Sequence, residues 1–207
     1  MRQYLLLLTA AAGMAHATVS FSLNPADGAV SGLPGATVGW GFTMADDQYF
    51  LIVTATGFCS TFDPASDSLP CQSPTNPPVA NGTYADYFGG SPFNFYLSAP
   101  GSPDLSQQNF DAVAQTGTGA FTIDDNAALI GQILTGVVVV DYNLYSCDPT
   151  DITCTSPVEQ VNPVNSSFDF FAVADASVQV TPEPATYVSV LSGVLIVVLR
   201  RRSKARD

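Results

Sequence analysis

The side chains that could do chemistry in this chain are carboxylates, hydroxyls and aromatic rings. Residues 18–181 contain no lysine and no arginine, and the single histidine of the chain, His16, precedes them. A serine–histidine–aspartate triad, a cysteine–histidine pair and a Schiff-base lysine are therefore excluded from this region. A histidine-liganded metal and a phosphate loop that needs its lysine are excluded for the same reason.

Paired aspartates leave one class of enzyme open, because two carboxylates are enough to hydrolyse a glycosidic bond. Aspartates beside Asn, Gly or Pro more often cap turns, and acids without cations are mostly solvated. We therefore expect a protein that is not an enzyme and has no catalytic residues, with a carbohydrate-active hydrolase as the alternative. The aspartates that could serve that alternative include Asp46, Asp47, Asp124, Asp125 and Asp141.

Two short loops carry hard oxygen ligands of the kind that Ca²⁺ selects. In one, Asp124 and Asp125 precede an asparagine; in the other, Asp148 and Asp151 flank a Pro-Thr pair. Neither loop matches an EF-hand, so ordinary surface carboxylates are the competing interpretation. The sequence thus predicts no cofactor other than one structural calcium ion at these aspartates.

The four cysteines could form two disulfides, because their number is even and the chain has the features of an exported protein. Three pairings are open. Cys59 with Cys71 and Cys147 with Cys154 is favoured, because each pair brackets a loop between predicted strands. Zinc is the rival interpretation, but neither histidine ligands nor C-x-x-C spacings support it.

The charges are divided sharply along the chain. All six basic residues lie at the two ends, whereas all but two of the 18 acidic residues lie between residues 18 and 181. Affinity for nucleic acid depends on cations that neutralise phosphates, so DNA and RNA are excluded as partners of this acidic region.

The first 17 residues have the layout of a secretory signal peptide. Arg2 provides the positive start, an apolar run follows, and Ala15-His16-Ala17 is a small-x-small cleavage site. A buried N-terminal segment is the alternative. The sequence predicts cleavage by signal peptidase and a mature body beginning at residue 18.

The C-terminal end combines an apolar segment with a basic block. Residues 185–199 carry no charge, and as a helix they would be about 22 Å long, against a hydrocarbon core of roughly 30 Å. Arg200, Arg201 and Arg202 follow directly and would stop transfer across the membrane and hold the end in the cytoplasm. An ordinary C-terminal anchor would have the same two features.

Pro182-Glu183-Pro184, the apolar segment 185–199 and the basic end 200–206 together resemble the PEP-CTERM sorting signal of exported bacterial proteins. The resemblance covers residues 181–207 and implies an exosortase, a transpeptidase-like membrane enzyme, as a partner. It also implies an inner-membrane intermediate, removal of the tail, and delivery to the cell surface or extracellular matrix of a Gram-negative-type bacterium. The apolar segment is richer in valine than the family pattern.

Residues 18–180 are predicted to form one all-β domain. Apolar and polar residues alternate in TVSFSL, TVGWGFT and FNFYLS, a pattern that predicts strands with one buried face. YFLIVTAT and GVVVVDYNLY begin with continuous apolar runs and predict central strands, and GAFTI, FDFFAVA and ASVQV complete the set. Turn-rich loops between them favour an antiparallel β-sandwich of jelly-roll type, with Trp40 in the core.

Taken together, the sequence predicts an exported, surface-sorted protein with a structural or adhesive role. Within an extracellular or biofilm matrix, polysaccharide is the candidate partner of its body. Aromatic side chains on a β-sheet face can stack on sugar rings, but the tyrosines of this chain are scattered and form no evident cluster in the sequence.

Overall fold

The computed structural model describes residues 19–64, 70–89, 96–151, 153–154 and 170–183. In these residues the chain is all-β, with strands, a single short 3-10 turn at Ala127–Leu129 and no α-helix. The all-β prediction is confirmed. The predicted signal peptide (1–17), the apolar segment (185–199) and the basic end (200–206) lie outside the described residues.

Ten strands follow one another along this part of the chain. They are β1 (Ser20–Asn24), β2 (Ala29–Gly32), β3 (Thr37–Gly39), β4 (Gly41–Ala45), β5 (Phe50–Cys59), β6 (Gly82–Asp86), β7 (Tyr96–Ser98), β8 (Gly119–Ile123), β9 (Ile133–Tyr145) and β10 (Phe170–Val180).

The strands form several sheets, one of them curled into a half-barrel. Their orders are β1-β4, β2-β10-β9-β5-β7 and β3-β8-β6. The pairings are antiparallel except that of β2 with β10, which is parallel. The prediction of antiparallel strands therefore fails at this one pairing.

The two continuous apolar runs are central strands, as predicted. β9 lies between β10 and β5, and β5 lies between β9 and β7. Three consecutive residues of β9, Val138, Val139 and Val140, are almost fully buried, so both faces of the strand are covered at this point. A strand that is covered on both faces has no solvent-facing side for polar residues, so apolar and polar residues do not alternate in it. This explains the unbroken run of valines.

Trp40 is fully buried, which confirms its predicted place in the core. Its indole Nε1 donates a hydrogen bond to the carbonyl of Gly28 at 2.7 Å. Gly41 allows a loop to lie directly over this part of the strand, since a Cβ there would stand 2.0 Å from the carbonyl oxygen of Gln108. Trp40 itself belongs to neither strand, so the predicted single strand TVGWGFT is divided into β3 and β4.

A β-bulge in β5 decides which side chains enter the core. Val53 lies opposite Tyr142 and Ala55 opposite Asp141, so Thr54 has no partner position in β9. The extra residue shifts the alternation, as bulges do. As a consequence Thr56 and Phe58 both point inward, and the Phe58 ring packs 4.8 Å from the ring of Trp40.

Two strands are absent from the sequence prediction. β2 occupies four residues inside a stretch interpreted as a turn, and β6 follows another turn-rich stretch. β2 pairs with β10, nearly 150 residues further along the chain, as the contact between Thr181 and Gly32 illustrates. FDFFAVA and ASVQV, predicted as separate strands, form the single strand β10.

Candidate functional site

A cleft of about 430 Å³ opens between the second half of β5 and strand β6. Its volume lies within the range of roughly 300–1,000 Å³ that small-molecule sites occupy. We call it the β5–β6 cleft. It is lined by Ala55, Thr56, Gly57, Phe58, Pro70, Cys71, Gln72, Pro78, Gly82, Thr83, Tyr84 and Asp86.

Three polar side chains are hydrogen-bonded to one another across the cleft. The Tyr84 hydroxyl donates to Thr56 Oγ1 at 3.2 Å, and Thr56 Oγ1 lies 2.6 Å from Asp86 Oδ1. Thr56 Oγ1 is also within hydrogen-bonding distance of the Thr118 carbonyl. A hydroxyl has one proton, so Asp86 and Thr118 compete for it. The network joins β5 to β6 through side chains.

Asp86 also shapes the turn that follows β6. Its Oδ1 accepts from the backbone N–H of Phe88 at 2.9 Å, and its Oδ2 accepts from Gly89 N–H at 2.9 Å. These bonds and that from Thr56 engage three of the roughly four acceptor positions of a carboxylate. Asp86 is therefore held in one orientation, with acceptor capacity left over.

The cleft is acidic and its tyrosine stays protonated. Burial raises the pKa of the Tyr84 hydroxyl well above its ordinary value, and the nearby charge of Asp86 raises it further. Hydrogen bonds with the side chains of Thr118 and Thr56 oppose this effect but do not cancel it. At neutral pH the cleft thus presents a neutral phenol next to Asp86.

This arrangement suits binding better than catalysis. Among the described lining residues Asp86 is the one carboxylate, whereas glycoside hydrolysis uses two. Because residues 18–181 contain no lysine, arginine or histidine, an anionic ligand would be repelled. Hydroxyl, carboxylate and amide groups beside apolar walls fit a neutral, polyhydroxylated ligand.

Both predicted disulfides are present with the favoured pairing. Cys59 is bonded to Cys71 and Cys147 to Cys154, with Cα–Cα distances of 5.1 and 5.7 Å. Two disulfides indicate an oxidising, extracellular or periplasmic location. The first disulfide also forms part of the wall of the β5–β6 cleft.

The four aspartates predicted to bind calcium remain in two separate pairs. Asp148 Oδ1 accepts from the backbone N–H and hydroxyl of Thr150, and Asp151 Oδ1 does the same with Thr153. The backbone hydrogen bond from Thr153 lowers the pKa of Asp151, and its hydroxyl lowers it further.

The other pair, Asp124 and Asp125, lies at the opposite end of β9, just before the 3-10 turn. In the part of the chain that the structure describes, no three His, Cys, Asp or Glu side chains come together as a metal site. Calcium binding stays a prediction.

The aspartates considered for hydrolysis are dispersed. Asp46 is fully buried, and its Oδ1 accepts from the N–H groups of Gln48 and Tyr49 at 2.8 and 2.7 Å. Asp141 is 3% exposed within β9. Burial raises the pKa of Tyr142 to about 12, and the charges of Asp46 and Asp141 contribute. A glycan could not reach either carboxylate, and exposed Asp47 does not line the cleft.

The predicted sorting motif begins close to the end of the last strand that the structure describes. β10 ends at Val180, Thr181 N–H donates to the Gly32 carbonyl at 2.8 Å, and Glu183 lines a small surface cavity with Asp125. Pro184 and the basic block of Arg200, Arg201 and Arg202 lie outside the described residues. In the described part of the chain no helix is long and apolar enough to cross a membrane.

Neither a protein-family model nor a curated protein sequence matches this chain.

The polar residues of the cleft were not predicted from the sequence. Thr56, Tyr84 and Asp86 come from strands nearly 30 residues apart, and no spacing rule connects them. One signal was present, because in GTYAD the residues Gly82, Tyr84 and Asp86 alternate with Thr83 and Ala85 as in a strand.

Proposed function

We propose that this protein is exported through its signal peptide, held at the membrane by a PEP-CTERM-like tail, and released by an exosortase to the cell surface or matrix. Its body serves there as a structural or adhesive component and not as an enzyme. The three sheets would pack as a sandwich of jelly-roll type, a common architecture of extracellular domains.

One observation carries the proposal: a disulfide-bonded β-body ends directly at the motif. β10 is the last strand that the structure describes, and Thr181 alone separates its end at Val180 from Pro182 and Glu183. The apolar and basic segments come immediately afterwards, in the order that a stop-transfer anchor requires. The body is thereby separated cleanly from a tail that can be removed without breaking a strand.

The sorting step is tested with the full precursor in its native host. Glu183→Ala, and separately deletion of residues 200–206, should leave the tail uncleaved and reduce release to the medium. Asp125→Ala is the matched control, because Asp125 lines the same cavity as Glu183 but lies outside the motif. The measurement is the intact mass of released and membrane-bound protein.

Loss of residues beyond about Pro184 from the released parent protein, with retention in the Glu183 variant, is the expected result. If the parent protein is released with its tail intact, or if all variants are processed equally, the sorting proposal is wrong.

Polysaccharide is the partner that we propose for the body, and the β5–β6 cleft is its proposed site. The observation that favours it is a cleft of suitable volume with fixed polar groups and no positive charge. Asp86→Asn should weaken binding of neutral glycans measured by calorimetry, while Asp47→Asn, outside the cleft, should not. Equal binding by the two variants would exclude this cleft.

A hydrolase remains the alternative to a binding protein. Asp124→Ala/Asp125→Ala separates the two, because hydrolysis by the parent protein that disappears in this variant would establish catalysis. Binding of glycan without hydrolysis, unchanged in the same variant, would support the non-enzymatic role.

A further inference from the structure

The end of β10 is fixed to the rest of the body, and it forms one surface with the neighbouring loops. Val180 N–H donates to the Gln132 carbonyl at 2.9 Å, and Gly131 N–H donates to the Val180 carbonyl at 2.8 Å. Thr181 donates hydrogen bonds from its N–H and its hydroxyl to the Gly32 carbonyl. We call this surface the tail end of the body and define it as residues 32–36, 124–133 and 181–183.

A very short tether connects the tail end to the apolar segment of the sequence. Residues 182–184 separate Thr181 from residue 185, where that segment begins. Even a fully extended chain covers at most about 14 Å between these two positions. The headgroup layer on one side of a bilayer is about 5–8 Å thick. While the apolar segment is in the membrane, Thr181 therefore stays close to the lipid headgroups.

The short length of the apolar segment further limits how far the body can lie from the membrane. Its 15 residues would span about 22 Å as a helix, roughly 8 Å less than the hydrocarbon core. The basic block must remain on the far side, so the missing length is taken from residues 182–184 or from local thinning of the bilayer. If residues 182–184 supply the missing length, the tail end reaches the membrane surface; if the bilayer thins, the tail end stays within the reach of that short tether.

The tail end exposes large apolar side chains at this position. Ile130 and Ile133 are 42% and 60% exposed, and they flank Gly131 and Gln132, the two residues that bond to Val180. Isolated exposed apolar residues are common on protein surfaces. Here, however, two of them stand beside the exit of a membrane segment.

The charges of the tail end select the kind of lipid surface. Asp124, Asp125 and Glu183 lie at this end, and residues 18–181 supply no cation to balance them. An anionic leaflet would repel the tail end, whereas a zwitterionic one would not. The partner surface is therefore a leaflet of zwitterionic lipid.

We propose that, until the tail is removed, the body rests with its tail end on a zwitterionic lipid surface, with Ile130 and Ile133 in contact with the headgroup region. The proposal rests on the proposed function, because it requires the tail to be anchored in the membrane.

The test uses the precursor from residue 18 to 207, with both disulfides intact, reconstituted in phosphatidylcholine vesicles. A thiol-reactive fluorophore is placed at Ile130→Cys or Ile133→Cys, and at Val113→Cys as the control. Val113 is 95% exposed and lies in the turn between Asp111 and Thr116, outside the tail end. Bromine atoms near the headgroup end of the lipid chains quench a fluorophore that touches them. Labels at 130 and 133 should be quenched several-fold more than the label at 113.

A second variant separates contact from tethering. A flexible Gly-Ser spacer of about 20 residues between Thr181 and Pro182 lengthens the tether by about 25 Å. It should abolish the quenching at 130 and 133 while the protein still sediments with the vesicles. Sedimentation without preferential quenching, or quenching that the spacer does not change, would overturn this inference alone. Failure of the precursor to sediment with vesicles would overturn the proposed function as well.

Discussion

The regions around the two disulfides, Cys59–Cys71 and Cys147–Cys154, differ in how far they are packed into the core. Cys59 is fully buried at the end of β5, and its partner Cys71 lies against the backbone of Gly57 in the wall of the β5–β6 cleft. The Cys147–Cys154 disulfide closes a loop beyond β9 whose aspartates cap their own turns. The same covalent bond thus supports the core and the candidate site in one region and only a surface loop in the other.

Removing each disulfide is the strongest test of this difference. Cys59→Ala/Cys71→Ala should lower the free energy of unfolding by roughly 3–5 kcal/mol, because core packing is lost along with the loop constraint. Cys147→Ala/Cys154→Ala should cost roughly 2–3 kcal/mol, since the loop is shorter and only the constraint is lost. Chemical denaturation of both variants measures the two values. Equal losses would mean that the first disulfide is no better integrated than the second.

Gly57→Ala tests how closely the first disulfide packs against β5. A Cβ at this position would stand 2.5 Å from Cys71 Sγ and 2.7 Å from the Pro70 Cβ. The resulting overpacking should destabilise the protein by about 1–3 kcal/mol. Ser146→Ala, at an exposed position beside the second disulfide, should change stability by less than about 0.5 kcal/mol. A Gly57→Ala protein with parental stability would show that the disulfide is free to move away.

Alkaline pH should lower the stability of the protein through the cleft beside the Cys59–Cys71 disulfide and not through the loop closed by Cys147–Cys154. Because the pKa of Tyr84 is raised in the folded state, folded and unfolded chains are both protonated below about pH 10. Above that pH the unfolded chain loses its proton first, so stability falls, by up to about 1.4 kcal/mol per pH unit for this group.

Tyr84→Phe should remove this part of the loss of stability at alkaline pH. The measurement is the melting temperature of both proteins between about pH 9 and pH 11, in steps of roughly half a pH unit. Tyr142, whose pKa is raised to about 12, contributes a similar dependence elsewhere in the core. Tyr142→Phe is therefore the matched comparison. A Tyr84→Phe protein with the parental slope would show that the cleft tyrosine is solvated.

Removal of calcium should have the smallest effect on stability, and we expect that effect in the loop closed by Cys147–Cys154. If Asp148 and Asp151 hold Ca²⁺, EDTA at fixed ionic strength lowers the melting temperature by a few degrees, and Asp148→Asn/Asp151→Asn abolishes that shift. Asp124→Asn/Asp125→Asn serves as the parallel variant for the other pair. No shift with EDTA in the parent protein would remove calcium from both loops.

The sequence by itself determined the all-β class, the central places of β5 and β9, the burial of Trp40 and the pairing of the cysteines. Each of these depends on local information: alternation or continuity of apolar residues over one strand, or a short loop that brings two cysteines together. The absence of lysine, arginine and histidine from residues 18–181 also excludes whole classes of catalysis, because those mechanisms need side chains that this region does not contain.

Only the tertiary structure decided where a ligand could bind. The β5–β6 cleft requires a bulge at Thr54 that turns Thr56 inward, and a strand β6 that places Tyr84 and Asp86 opposite it. The parallel pairing of β2 with β10 likewise joins segments nearly 150 residues apart. Such positions are set by cross-strand partners distant in the chain, and a pattern read along one segment contains no information about which distant segment will pair with it.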